Sequence, residues 1–187
     1  ATPIPRTLHM SMMGLRDLSI VNTPPADRRA VRTRLIPFND YIIQEAVSRE
    51  IRRGGQVFIV HNKIESIYKY GKYIEKILPN IRIAIGHGQM RENQLEKVML
   101  GFVKGHFDVL LSTTIIESGL DIPRANTIII NNAHNFGLSQ LYQLRGRVGR
   151  SNVQAYAYLL VPPEKILSGI AHERLKVLQD FNDLGAG

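Results

Sequence analysis

From residue 31 onward, short apolar runs alternate with longer amphipathic ones, and this alternation predicts the fold class before any single motif does. Val31 to Pro37 leans toward β structure. From Asn39 or Asp40, either of which suits an N-cap, Ile43, Ala46, Val47 and Ile51 recur at helical spacing until Gly54-Gly55 stops the pattern. Gln56 to Val60 reads as a short buried strand, and Ile64, Ile67, Tyr68, Gly71, Ile74 and Leu78 mark a second helix that Pro79 ends. Arg82 to Ile85 predicts another strand, followed by the apolar stripe Leu95, Val98, Met99 and Phe102 of a third helix. Asp108 to Leu111 and Thr127 to Ile130 are continuous apolar runs, as in parallel strands covered on both faces. A helix is expected over Leu138 to Arg145, a strand over Ala155 to Val161, and a final helix over about Ala171 to Phe181.

Repeated βα units predict an α/β fold, a mostly parallel sheet sandwiched by helices in three layers. Residues 1–30 hold Pro3, Pro5, Pro24 and Pro25 without sustained periodicity and read as a connector. Residues 31–165 form the lobe itself, and residues 166–187 a C-terminal helical segment. The chain opens on Ala1 and stops at Gly187, just after Asp183-Leu184-Gly185, so both ends read as cuts in a longer protein.

In such sheets the ligand crevice lies beyond the carboxyl ends of the strands. Four segments follow predicted strands and are expected along that one edge: His61-Asn62, Gly86 to Arg91, Thr113 to Asp121, and Gln140 to Arg150.

Composition narrows the chemistry. With 187 residues, 44% of them hydrophobic, the chain can bury one proper core. No apolar run has the length of a bilayer span, and no secretion signal opens the sequence. The absence of cysteine excludes disulfides and thiolate metal sites and suits a reducing compartment. Six histidines show no ligand spacing, so no metal site is expected. A formal charge of +8 makes a polyanion a fitting partner, although most of the arginines are dispersed; only Arg145, Arg147 and Arg150 have a spacing that suggests chemistry.

Gly146 and Gly149 let the chain bend and approach a partner, leaving Arg147 and Arg150 to project planar donor forks suited to phosphate oxygens. Thr113 and Thr114 offer hydroxyls and backbone donors to a nucleic-acid phosphate, or merely finish a strand. Gly119 and Asp121 make a turn whose carboxylate can accept from a ribose hydroxyl or bond its own backbone. Gly86 and Gly88 flank His87 ahead of a helix start at Arg91 whose N–H groups suit a phosphate, though glycines before helices are also ordinary turn residues. His87 itself reads as a packed or hydrogen-bonding side chain. Glu117 and Asp121 are spaced like an acid/base pair but lack a nucleophile or a second acid.

No G-x-x-x-x-G-K-[ST] loop is present, since Gly71-Lys72 falls inside a predicted helix, and no acidic cluster follows a strand to hold Mg²⁺. Projecting arginines without a phosphate loop resemble the partner half of a split nucleotide site.

In order, these segments resemble the C-terminal half of a superfamily 2 helicase. Ala1 to Thr7 resembles that superfamily's motif III, Gln56 to Asn62 motif IV, Gly86 to Met90 motif IVa, Thr113 to Pro123 motif V, and Gln140 to Ser151 motif VI. Gly14 to Ser19 with Thr23-Pro24-Pro25, Ile85 to Met90, and Phe136-Gly137-Leu138 resemble its transcription-repair coupling branch more than the RecG branched-DNA helicase branch. Asp183 to Gly187 resembles the stretch before that branch's translocation motif.

The resemblance implies a RecA-like lobe that binds ATP and Mg²⁺ only together with a first lobe. Arg147 and Arg150 would be arginine fingers, Gln143 would help place the site, and Gly119, Asp121 and Gly146 would line its nucleotide side. Thr113, Thr114, Gly88, Gln89, Arg91 and Asn62 would hold a DNA backbone. Implied partners are double-stranded DNA, the first lobe, and RNA polymerase and excision-repair proteins through other domains, all in the bacterial cytoplasm. The lobe alone is expected to lack ATPase. Two other readings fit some of the residues: a RecG-like branched-DNA helicase lobe, and a non-catalytic nucleic-acid-binding module. A Rossmann-type cofactor enzyme would need a G-x-G-x-x-G after the first strand, which is missing.

Overall fold

The computed structural model describes residues 30–114 and 122–162, together with Gly169, Glu173, Leu175 and Val177. The connector over 1–29, the turn holding Gly119 and Asp121, and most of the expected final helix lie outside the described residues.

The chain builds β1 (Arg32–Pro37), α1 (Asp40–Arg52), β2 (Gln56–Val60), α2 (Ile64–Ile77), β3 (Ile83–Gly86), α3 (Glu92–Val103), β4 (Val109–Ser112), β5 (Ala125–Ile130), α4 (Leu138–Arg145) and β6 (Tyr156–Val161). Among the described residues, six strands form one sheet in the order β1-β6-β5-β2-β4-β3, with every pair parallel. The expected three-layer α/β arrangement follows from side-chain alternation in the strands. Val57, Ile59, Val109, Leu111, Ile129 and Leu160 pack on one face with Ile43, Ala46 and Val47 of α1 and Ile67 and Ile74 of α2. Phe58, Val60, Leu110, Ile128, Ile130 and Leu159 pack on the other with Leu95, Met99 and Phe102 of α3 and Leu141 and Leu144 of α4. Each of these side chains larger than alanine contributes about 1.5–3 kcal/mol by leaving water.

Local chemistry sets the element ends. Asn39 caps α1, its side chain accepting from the Tyr41 N–H at 2.9 Å. Gly71 lets α2 settle on the sheet, since a Cβ there would come within 2.6 Å of Ile85 Cδ1. β3 and β4 each begin one residue later than the apolar runs suggested. Asp108 accepts from the Arg82 backbone N–H at 2.9 Å and from its guanidinium at 2.7 and 3.0 Å, so the two residues clamp the amino ends of these strands. A 3₁₀ turn over Ala133–Asn135 was not anticipated; Asn132 before it sits at φ 52°, a left-handed conformation that Asn tolerates.

Among the described residues, one carboxylate side chain is fully buried. Glu50, on the last turns of α1, bonds the Arg53 guanidinium and accepts from Thr127 Oγ1 beside the amino end of β5. Gly55 leaves room for that carboxylate, because a Cβ at this position would lie 1.8 Å from Glu50 Oε1.

Candidate functional site: a strand-end edge and an arginine turn

The chain places β3 and β4 on one side of β2 and β5 and β6 on the other, so the topological switch lies at the carboxyl end of β2. Four side chains meet there: His61, Asn131, Ser66 and Tyr70. His61 donates its backbone N–H to Ser112 at 2.9 Å, and Asn131 donates its own to Val60 at 2.9 Å, tying the ends of β2, β4 and β5 together. The Asn131 amide donates to His61 Nδ1 at 2.9 Å, which puts the ring proton on Nε2, 2.7 Å from Ser66 Oγ. The ring also stacks on Tyr70 with centroids 4.8 Å apart. Burial, and secondarily Lys63, lowers the His61 pKa and so favours the neutral ring. Nothing in the sequence pairs His61 with Asn131, 70 residues away; only its position at a strand end was visible. Asn62, the predicted DNA-backbone residue, follows directly and is half-buried.

The next strand end carries the Gly88, Gln89 and Arg91 group. His87 is buried, 6% exposed, and as expected it is a hydrogen-bonding residue, with Nε2 2.9 Å from the Tyr68 hydroxyl. The Met90 N–H donates to the His87 carbonyl at 3.1 Å, closing the turn. Gly88 is half-buried, while Gln89 and Arg91 are exposed. Arg91 is the N-cap of α3 and makes no side-chain cap bond, so the first N–H groups of that helix are not covered by its cap residue. Thr113 is less available than its sequence position suggested: it is buried, and its N–H donates to the Gly86 carbonyl at 3.4 Å. Thr114 beside it is half-buried.

The expectation that all four segments share one edge is corrected here. In a parallel βα unit the helix runs back against the strand direction, so the far end of α4 returns to the amino edge of the sheet. Gly149 lies against Val31 and Ala155, the residues just before β1 and β6, and Ser151 donates to Asn126 Oδ1 at 3.1 Å near the start of β5. The arginine turn is therefore separated from Asn62, Gly88 and Thr113 by the length of the sheet.

That turn is tightly built. Gly146 N–H donates to Tyr142 at 3.0 Å, Arg147 N–H to Leu144 at 3.0 Å and Val148 N–H to Arg145 at 3.3 Å, unwinding α4 in steps. Val148 is buried, 2% exposed, and anchors the turn in the core. Gly149 has φ +78°, and a Cβ there would come within 2.8 Å of Val31 Cγ2, so backbone and space both call for glycine. Arg147 and Arg150 flank this anchored pair and are half-buried; Arg150 Nε donates to the Gly146 carbonyl at 3.3 Å. Gln143 and Gly146 are exposed nearby. The Arg145 guanidinium carbon lies 5.6 Å from the Tyr142 ring centroid, and its Nη1 is buried with no hydrogen-bond partner among the described residues.

Residues 39–152 match the helicase conserved C-terminal domain. The whole chain is 58% identical to the transcription-repair-coupling factor of Myxococcus xanthus and 53% identical to that of Staphylococcus epidermidis, spanning 16% of the length of each. A solved structure of RecG bound to a three-way DNA junction is similar over 97% of this chain and 26% of that one, with a TM-score of 0.71 and 37% sequence identity. The described residues contain no helix long and apolar enough to cross a membrane. The chain belongs to the helicase conserved C-terminal domain family, with the RecA-like fold of that family.

Proposed function

We propose that this chain is the second RecA-like lobe of an ATP-dependent double-stranded DNA translocase, of the kind that displaces stalled RNA polymerase and couples transcription to nucleotide excision repair. Identity of 58% to a coupling factor, against 37% to RecG, supports this branch over a branched-DNA helicase. RNA polymerase and the excision-repair proteins are met through other domains, in the bacterial cytoplasm.

The observation that carries the reading is the separation of two sets of groups. Backbone-binding candidates Asn62, Gly88, Gln89, Arg91, Thr113 and Thr114 sit at the carboxyl edge, while Arg147 and Arg150 sit in an anchored turn at the other end of α4. A lobe built this way holds a nucleic-acid backbone and a nucleotide at different places, as a motor must. The turn suits a triphosphate because its donors are permanently charged guanidinium groups. Bound ATP, with Mg²⁺ held by the first lobe, supplies the free energy of the cycle. Arg147 and Arg150 would meet negative charge from across the lobe boundary, with Gln143 and Gly146 on the same side; Gly119 and Asp121, the other nucleotide-side candidates, lie outside the described residues. Neither a phosphate loop nor a Mg²⁺-binding acidic cluster occurs in the sequence, so this lobe by itself does not turn over ATP.

Arg150→Ala in a protein containing both lobes tests this. ATP turnover should fall by about three to five powers of ten, the scale of arginine-finger loss in related NTPases, with DNA affinity largely kept. Normal turnover with lost DNA affinity would favour a non-catalytic nucleic-acid-binding module.

A further inference from the structure

We propose that the amino-end half of the sheet face carrying α1 is a docking surface for an acidic segment of a partner protein. The fold gathers there arginines that the sequence shows as dispersed. Side chains alternate along a strand, and β1 pairs with β6 so that Arg32 stands beside Tyr156 and Arg34 beside Tyr158, on the face that α1 covers. The end of α1 brings three more: Arg49, Arg52 and, at the C-cap, Arg53. The Arg49 guanidinium carbon lies 3.8 Å over the Tyr156 ring, and that of Arg53 lies 5.5 Å from the same ring, so the two sets meet around one tyrosine.

Each set alone has an ordinary explanation, since cations suit the carboxyl end of a helix and charges guard an edge strand. Neither explanation requires the two sets to converge. Glu50, the carboxylate beside them, is fully buried and already bonded to Arg53 and Thr127. Glu45, a turn earlier on α1, is exposed and pairs with none of them. Arg32, Arg34 and Arg52 are exposed and make no ion pair among the described residues. Like charges gathered this closely repel one another, and carboxylates of a partner relieve that repulsion.

Position favours a protein over nucleic acid, a choice that rests on the duplex lying along the carboxyl edge. α1 has 13 residues and runs from that edge back to the amino end, so the patch lies roughly 20 Å away from it. The arginine turn is on the opposite face, where Val148 and Val31 join the other core cluster. The patch therefore belongs to neither set of groups assigned above. Its composition suits a protein interface, in which arginine and tyrosine are enriched and the planar guanidinium fork matches a carboxylate. Arg49 is already held by the Tyr156 ring and the Tyr158 hydroxyl, and Arg53 by Glu50, so less freedom is lost on docking.

The test follows this chain with fluorescently labelled oligoglutamate and with a labelled short DNA duplex, by anisotropy at about 0.1 M salt, where charges more than about 10 Å apart are largely screened. Arg32→Gln combined with Arg34→Gln and Arg52→Gln removes three exposed charges and spares Arg53, the partner of Glu50. This triple should weaken oligoglutamate about tenfold, the scale of three exposed ion pairs, and the duplex less than about twofold. Lys69→Gln combined with Lys72→Gln and Lys76→Gln removes the same charge from α2, which packs beside β3 at the far edge of the sheet. That control should weaken oligoglutamate less than about threefold. Equal weakening by the two triples would mean attraction by net charge alone and would overturn the proposal. So would full oligoglutamate affinity in the arginine triple, or no oligoglutamate binding by wild type. A duplex weakened as much as oligoglutamate would make the patch a nucleic-acid surface and overturn its assignment to a protein. Asn62→Ala with Arg91→Ala checks the carboxyl edge separately: unchanged duplex affinity there would sink the edge reading, whereas the patch is decided by the two triples.

Discussion

Replacing Gly149 by alanine in the 187-residue chain puts a Cβ where the structure has no room and the backbone no tolerance. At φ +78° an L side chain costs roughly 1–2 kcal/mol, and the new carbon would stand 2.8 Å from Val31 Cγ2 and 3.4 Å from Ala155 Cβ. Gly54 supplies the internal control: it has φ +79° but nothing within 4 Å of an added Cβ. Gly54→Ala therefore reports the backbone cost alone, reduced by the roughly 0.4–1 kcal/mol that alanine returns by stiffening the unfolded chain. Gly149→Ala carries both of those contributions and adds overpacking, about 1–3 kcal/mol. Urea unfolding of the two variants beside wild type gives the comparison, provided the slope is unchanged. Gly149→Ala should lose about 1–3 kcal/mol more than Gly54→Ala. Equal shifts of the two midpoints would refute the claim that the arginine turn is pinned against the start of β1.

Glu50→Ala should destabilise the chain by roughly 1–3 kcal/mol in the same assay, because it leaves the Thr127 hydroxyl without its buried acceptor, while the exposed Arg53 turns to water; a loss below about 1 kcal/mol would mean that water replaces the carboxylate at little cost. Asp108 gives a pH prediction. Hydrogen bonds from Arg82 hold its carboxyl below the ordinary value of 3.8, against a smaller opposing effect of burial. Its contribution is therefore whole above that ordinary value and is lost as pH falls through the depressed one. Asp108→Asn should flatten the acid limb of the unfolding midpoint against pH, and an unchanged limb would contradict the clamp between β3 and β4.

The layer architecture was legible because each buried strand is a continuous apolar run, and each helix repeats its apolar positions at three and four residues. Leu138–Arg145 is placed as the periodicity indicated, and Asn39 caps α1 as its position suggested. Strand starts at Arg82 and Asp108 were off by one residue because a side-chain clamp, invisible to hydropathy, uses those residues instead. The largest error concerned direction. Motifs that follow strands were all assigned to one edge, yet Arg147 and Arg150 follow a whole helix, and a helix in a parallel unit carries the chain back to the other edge. The His61–Asn131 bond and the Tyr68–His87 bond join residues 70 and 19 apart, and both depend on strand order, which no local pattern records. Thr113 illustrates the opposite limit: its motif was readable, its burial was not.

The central claim is that nucleotide chemistry and nucleic-acid grip occupy opposite ends of this lobe, and DNA-stimulated ATP turnover of a protein carrying both lobes addresses it directly. Turnover should be measured across a range of DNA concentrations for Arg147→Ala with Arg150→Ala, and separately for Asn62→Ala with Arg91→Ala. The first pair should abolish turnover at every DNA concentration while leaving DNA affinity near wild type. The second should shift the DNA concentration needed for half-maximal turnover upward and leave the maximum nearly intact. If the first pair merely raised the DNA requirement and kept the maximum, Arg147 and Arg150 would be nucleic-acid ligands, and the separation proposed for this lobe would be wrong.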